Sequence, residues 1–242
     1  MRHLLFHILP LDTPAGQNCV QWHLRQLQKC AHIFNGQWIF AIVTGPGLSP
    51  PEVVRNFLPP QAQIIVRPND PEYGESCTLP MLLARAFTLD PDDVVFYAHT
   101  KGVTRLESPL ESPSRWWALS MYRWLLSDPA LRMLQSHPFV GWLKYEGQHG
   151  MFPPWSTWHY AGNFWWFRAA EIYRRAWWPV PPTRFGAESY PSMLVKTSEA
   201  ACLHGLSSDM LLRPDGQARM YFFDFWRTFG IPMGPDADSY IK

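Results

Sequence analysis

The chain has little of what usually assigns a protein at sight. Its 242 residues hold only four cysteines. Cys19, Cys30, Cys77 and Cys202 lie far apart, which excludes the short paired spacing of a zinc site and the density of a disulfide scaffold. Reduced thiols and a cytoplasmic setting are the reading. Charge of either sign is not in excess, the formal net charge being +1, so no general field attracts nucleic acid or an acidic membrane surface. Long apolar runs are missing too. The stretch Leu4 to Leu11 is broken by His7 and Pro10, which makes it too short to span a bilayer and unlike a signal peptide. No segment with helical periodicity carries a His-x-x-x-His pair, which argues against a histidine-based metal hydrolase. The chain shows no internal repeat and no low-complexity tract.

What is present is apolar and aromatic. At 47% hydrophobic and 17% charged residues the chain has ample material for one large core. Thirteen tryptophans and 24 prolines are the outliers, and most of the tryptophans fall between Trp116 and Trp178. Such residues build either a core layer or flat faces against which a sugar or a base packs.

The first hundred residues alternate between short apolar runs and helical patterns. His3 to Leu9, Trp38 to Thr44, Ile64 to Val66 and Val94 to Ala98 read as strands. Cys19 to Phe34, with Val20, Leu24, Leu27 and Ala31 in helical spacing, a short stretch from Pro51 to Phe57, and Glu75 to Phe87, with Leu79, Leu82, Leu83 and Ala86, read as helices. This order predicts an α/β fold with a mainly parallel central sheet and helices on both faces. Beyond Gly102 the repeat stops. A Ser/Pro-rich loop, helices from about Arg115 to Leu126 and Pro129 to Gln135, and a strand Phe139 to Leu143 follow. A Gly/Pro-rich loop (Gly147 to Pro154), one continuous strand Trp158 to Phe167 and a helix Ala169 to Ala176 complete the pattern. We expect one domain over residues 1–242, with a nucleotide-binding half (1–102) and an aromatic-rich half (103–242).

The chemistry concentrates at the end of the fourth strand, in His99-Thr100-Lys101-Gly102. A β-α-β crossover delivers these residues to the carboxyl end of a strand, where open α/β sheets hold their ligands. Lys101 could neutralise a diphosphate, His99 could donate a hydrogen bond and Gly102 lets backbone approach closely. Together they could stabilise a departing nucleoside diphosphate. Upstream, Asn69 and Gly74 punctuate a strand-to-helix turn, and Glu75 falls where a helix dipole favours its charge. Asp92 and Asp93 sit at the opposite end of the strand and are expected to cap or solvate a turn.

Two segments, Tyr97-Ala98-His99-Thr100-Lys101-Gly102 and His159-Tyr160-Ala161-Gly162-Asn163-Phe164-Trp165-Trp166, resemble paired signatures of a glycosyltransferase-like family related to rhamnan-synthesis proteins. The order of elements is similar to the nucleotide-sugar half of the glycosyltransferase-A fold, and the likeness covers most of residues 1–190. It implies a glycosyltransferase that takes a nucleotide-diphosphate sugar as donor and a saccharide hydroxyl as acceptor, in surface-polysaccharide synthesis. It implies that Asp12, Thr13, Thr44 and Gly45 hold base and ribose, with Asn69, Gly74, Glu75 and Thr100 completing the donor site. The strand carrying Trp158, His159, Gly162, Asn163, Trp165 and Trp166 would floor the sugar and acceptor site. Plain alternation puts Trp158, Tyr160, Gly162, Phe164 and Trp166 on one face, and His159, Ala161, Asn163, Trp165 and Phe167 on the other. Glu188, near a helix start, would be the general base, with His204 and Asp209 as an alternative. The fold usually carries Asp-x-Asp with a divalent metal at the strand-end triplet. Here His99 and Lys101 occupy the outer positions, which disfavours Mg or Mn without excluding it. A non-catalytic saccharide-binding module with the same fold is the competing reading.

Overall fold

A computed structural model describes residues 1–87, 90–108, 111–147 and 152–204. The first strand, β1 (Arg2–Ile8), is buried along nearly its whole length, as are β2 (Trp38–Thr44) and β4 (Val94–His99). Near-continuous apolar runs of this kind suit strands covered on both faces. β3 (Gln63–Pro68) is half-exposed, as an edge strand should be. All four are parallel, in the order β3-β2-β1-β4. The chain therefore builds outward from β1 to β3 and then returns to β1's other side, which makes the carboxyl ends of β1 and β4 the switch point at which open α/β sheets hold their ligands.

The remaining strands extend the same sheet past β4. β5 (Phe139–Glu146), β6 (Trp158–Tyr160), β7 (Trp165–Arg168) and β8 (Ala200–His204) complete it. β7 pairs antiparallel with β4, β5 with β7, and β6 with β5, whereas β8 runs parallel to β5. The α/β architecture with helices on both faces is as expected, and the sheet is mixed, wholly parallel over β1 to β4 and with both kinds of pairing beyond.

Period-two alternation divides the core in two. Leu4, Phe6 and Ile8 of β1 face α1 (Pro14–Lys29), α4 (Glu111–Leu125) and α5 (Asp128–Met133), together with Phe40, Phe96 and Trp166. Leu5, Ile39, Val95 and Tyr97 face α3 (Leu79–Ala86), α6 (Ala169–Tyr173) and α7 (Gly186–Leu194). The short α2 (Pro51–Arg55) links β2 to β3.

Several boundaries differ from the sequence reading for local reasons. α1 begins at Pro14 because Thr13 caps it, its side chain accepting from the Gly16 N–H at 3.0 Å, and it stops at Lys29, so Ala31 lies in a following 3₁₀ turn and is exposed. The segment read as one helix from Glu75 is a 3₁₀ turn, Gly74–Cys77, followed by α3. The segment read as one strand from Trp158 to Phe167 is two. It breaks at Gly162 and Asn163, whose φ values of +93° and +59° no strand residue adopts. Between their pairing points β5 spans Gly141 to Lys144 and the paired segment spans Tyr160 to Trp165, so the latter carries two extra residues, and the left-handed backbone at Gly162 and Asn163 interrupts its alternation. Trp158 and Tyr160 consequently share a core with Trp165 and Phe167, while Phe164 and Trp166 face the other one. The plain alternation expected from sequence does not hold. Among the described residues, no helix is long and apolar enough to cross a membrane.

Candidate active site at the end of the fourth strand

Alternation along β4 puts His99 on the α3 side, the side of Val95 and Tyr97. There its Nδ1 meets Glu75 Oε1 at 2.8 Å, and its Nε2 meets the Gly162 carbonyl at 3.1 Å. A ring carrying both N–H groups satisfies both acceptors. The other oxygen of Glu75 accepts from Asn163 Nδ2 at 2.9 Å, and Asn163 Oδ1 accepts from Trp165 Nε1 at 2.9 Å. Gly162 N–H donates to Glu188 Oε1 at 2.9 Å. One turn, Gly162-Asn163, thus joins the two motifs singled out in the sequence to Glu75 and Glu188.

Two small residues make that convergence possible. Ser76 Oγ donates to the Thr183 carbonyl and accepts from the Ala187 N–H, both at 2.7 Å, which fastens the start of α7 to the 3₁₀ turn. Gly186 leaves room for it, since a Cβ there would come within 2.7 Å of Ser76 Oγ. Neither residue stood out in the sequence, because a serine and a glycine next to a turn are ordinary loop residues.

Lys101 follows the strand end. Its carbonyl accepts from His23 Nε2 at 2.9 Å, which leaves His23 Nδ1 to accept from Tyr122 OH at 2.8 Å. Its ammonium stands 4.6 Å from the centroid of the Trp117 ring, a cation–π contact. Trp117 and Met121 also lie against Gly162, whose absent Cβ would sit 2.9 Å from Trp117 Nε1 and 2.7 Å from Met121 Sδ. Gly102, at φ +88°, makes the turn after Lys101. His7, opposite His99 in the β1–β4 register, hydrogen-bonds Thr78 Oγ1 at 2.7 Å, and Thr78 Oγ1 donates to the Glu75 carbonyl at 3.1 Å.

The electrostatics separate the two carboxylates. Burial works to raise the pKa of Glu75, but His99, His7 and Lys101 outweigh it and hold the group below the usual carboxylate range. Burial raises that of Glu188, with Lys101 and the Gly162 N–H offsetting it only in part and Glu75 adding to the rise. Burial lowers His7 to about 4 and His23 to about 3, so both rings are neutral near pH 7, and His7 acts on Glu75 only once acid has charged it. Two acids held apart in this way suit different roles, the one with the raised value being fit to take a proton.

The expected site residues fall into three groups. Lys101, His99, Glu75, Asn163, Gly162 and Glu188 come together. Asp12, Thr13, Thr44, Gly45 and Asn69 lie at the ends of β1 to β3, with Asn69 N–H donating to the Thr44 carbonyl at 2.7 Å and Ser49 Oγ to Asp12 Oδ1 at 3.0 Å. Thr13 spends its oxygen on the α1 cap. Gly74, at φ +52°, turns the chain into the 3₁₀ turn. The third group corrects the sequence reading. Trp158, Trp165 and Trp166 are fully buried core rings whose indole N–H groups are bonded inside the protein, so they offer no platform. His159 is buried and stacks on Phe152 at 3.9 Å between ring centroids. Thr100 is buried and accepts from the Leu9 N–H, tying β4 to β1. His99 uses both nitrogens internally and so is not a phosphate donor. Asp93, expected to cap or solvate a turn, does cap one by accepting from the Asp90 N–H at 3.1 Å, but it is buried against His3 at 2.9 Å rather than solvated. In each case the type of side chain was right for a site, but burial of aromatic area or completion of a hydrogen bond won. The backbone of His204 ends β8, and Asp209 lies outside the described residues.

The strand-end triplet does not fit a hard divalent cation, since Lys101 is itself a cation and His99 has no nitrogen left to ligate. Among the described residues, no three His, Cys, Asp or Glu side chains gather as a metal-binding group.

No protein-family model matches the chain, and no curated protein matches it. Among solved structures it is similar to a 4-diphosphocytidyl-2C-methyl-D-erythritol synthase, at 12% identity over 92% of this chain and 97% of that one, with a TM-score of 0.47. It is also similar to a candidate nucleotide-diphospho-sugar transferase from Desulfovibrio desulfuricans G20, at 13% identity over 94% of both chains and a TM-score of 0.40.

Proposed function

We propose that the chain is a glycosyltransferase of the glycosyltransferase-A type, which moves a sugar from a nucleotide-diphosphate donor to a hydroxyl of a saccharide acceptor. The observation that carries this reading is Glu188. It is a partly buried carboxyl with a raised pKa, held by one oxygen on the Gly162 N–H and subject to the charge of Lys101. Among the described residues its second oxygen has no hydrogen-bond partner, so it could accept the proton of an acceptor hydroxyl. Lys101 would stabilise the diphosphate as negative charge develops on the leaving oxygen. Its ammonium is steadied by the Trp117 face and its backbone by His23. His99 acts behind these groups rather than on the phosphate. Asp12, Thr44, Gly45 and Asn69, at the carboxyl ends of β1 to β3, are in the region where a base and ribose would lie. Surface-polysaccharide synthesis is the setting we infer from the sequence resemblance.

The test is to incubate the protein with a panel of nucleotide sugars and measure released nucleoside diphosphate, with a divalent cation and with a chelator. Release that Lys101→Ala and Glu188→Gln both abolish supports the transferase. Glycan binding that survives both changes, with no turnover by the parent protein, would establish a non-catalytic module.

A further inference from the structure

Glu75 takes part in a chain of hydrogen bonds whose direction is fixed from one end. The Trp165 indole is fully buried and can only donate, so the oxygen of the Asn163 amide must face it. The NH₂ of that amide must then face Glu75, at 2.9 Å. Glu75 is thus an acceptor toward Asn163 with one oxygen and toward His99 Nδ1 with the other. Both of its partners act on the same turn. Asn163 belongs to it, at a φ of +59°, a left-handed conformation that asparagine adopts more readily than other side-chain-bearing residues. His99 Nε2 holds the Gly162 carbonyl, and the Gly162 N–H is the donor to Glu188.

We propose that Glu75 is a positioning residue, not a nucleotide ligand: through Asn163 and His99 it fixes the Gly162-Asn163 turn so that the Gly162 N–H is aimed at Glu188. Its catalytic consequence rests on the reading of Glu188 as the base. The geometry explains why an acid sits where the sequence suggested a plain turn, and why the residue after Gly162 is an asparagine.

The arrangement predicts a specific rescue. Glu75→Gln turns one carboxylate oxygen into an NH₂, so either two donors face each other at Asn163, or the NH₂ faces His99 Nδ1 and the ring must give up that proton and, with it, its charge beside Gly162. Asn163→Asp sets two carboxylates against each other. In the double variant the new amide donates to the new carboxylate, which still accepts from Trp165, while the amide oxygen accepts from His99, at unchanged total charge. Two readouts are followed. The first is the Gly162 amide resonance in ¹⁵N–¹H spectra, expected downfield in the parent because the group donates to a carboxylate. It should move upfield in each single variant and return in the double variant. The second is kcat, which should fall about 100-fold in each single variant, as for a catalytic group misplaced by about an ångström. In the double variant it should recover most of that loss. Affinity for uridine and guanosine diphosphates, used as probes, should stay the same in Glu75→Gln. A Gly162 resonance that Glu75→Gln leaves in place overturns the positioning role whatever the activity, as does a loss of diphosphate affinity with kcat intact. The expected pattern of resonances in a protein that turns over no sugar in any form keeps the positioning role and removes the transferase reading.

Discussion

β1 and β4 lie side by side, and each end of the pair carries a histidine bonded to a carboxylate. At the amino end His3 Nδ1 accepts from the Gln37 N–H at 2.9 Å, and Nε2 donates to Asp93 Oδ2 at 2.9 Å. One donor and one acceptor suit a neutral ring. Burial accordingly lowers the His3 pKa, with Asp93 restoring only part of it. Asp93 also accepts from the Asp90 N–H at 3.1 Å, so this pair closes a turn and stitches two strand starts together. At the carboxyl end His99 meets two acceptors, and its carboxylate partner Glu75 reaches on to Asn163. The residue types are nearly the same at the two ends. The difference lies in what surrounds them: at one end a complete, inward-facing turn, at the other the switch point where the sheet reverses its direction of growth.

Substitutions can break or sharpen this contrast. The largest effect expected is at the carboxyl end. Glu188→Gln should lower turnover by about 10²–10⁴-fold, the range for a removed general base, with the melting temperature unchanged. Its counterpart at the amino end, Asp93→Asn, should do the reverse. It should reduce stability by about 1.5–3 kcal/mol, as for a lost hydrogen bond to a charged group, with turnover per folded molecule intact. Loss of activity in Asp93→Asn at full folding would erase the distinction between the two ends.

Next in size is Gly162→Ala. The added Cβ would crowd Met121 Sδ at 2.7 Å, at a φ of +93°. A cost of about 1–3 kcal/mol is expected from backbone strain and overpacking. Urea titration reads the stability, and the donor-hydrolysis rate reads the accompanying loss at Glu188. A stable, active variant would show that the turn is not held as tightly as its contacts imply.

A graded effect is expected from acid. His7 and His23 have folded-state values near 4 and near 3, against an unfolded value of about 6.5. Below about 6.5 the unfolded chain binds more protons than the folded one, so stability should fall as pH drops from about 6.5 toward 3. It should be insensitive to these two groups above that window. Glu75, depressed by its cationic neighbours, adds a further loss only at the acid end, as pH falls from its unfolded value through its folded one. Urea midpoints at pH 7.5, 5.5 and 4.5 check the trend, and flat midpoints would mean that the rings are solvated. The smallest effect belongs to Thr13→Ala, about 1 kcal/mol for a lost helix cap, read as a lower melting temperature at unchanged activity. A weakened donor affinity in that variant would restore Thr13 to the nucleotide site.

Much of the parallel half was legible in the sequence, because Leu4 to Ile8, Trp38 to Val43 and Val94 to Ala98 are apolar runs whose burial needs no partner to be named. The α3 face of Leu79, Leu82, Leu83 and Ala86 was legible for the same reason, and all four are fully buried. The candidate site was legible in its polar members, since His99, Lys101, Asn163 and Glu188 do converge. The aromatic members were not. A tryptophan that floors a sugar site and one that fills a core are the same residue in a sequence, and Trp158, Trp165 and Trp166 prove to be core, while Trp155 and Trp178 are exposed. Nor could alternation foresee the break at Gly162 and Asn163, where a left-handed turn interrupts the strand and the faces are reassigned after it.

The sequence by itself determined the alternation of strands and helices, the covered faces and the strand end that carries His99 and Lys101, because those follow from spacing over a few residues. Only the tertiary structure decided which groups act together. Asn163 meets Glu75 across 88 residues of chain, and Glu188 meets Gly162 across 26. Such pairings depend on how the sheet turns back on itself and on Ser76 fastening α7 beside it, which no local pattern encodes.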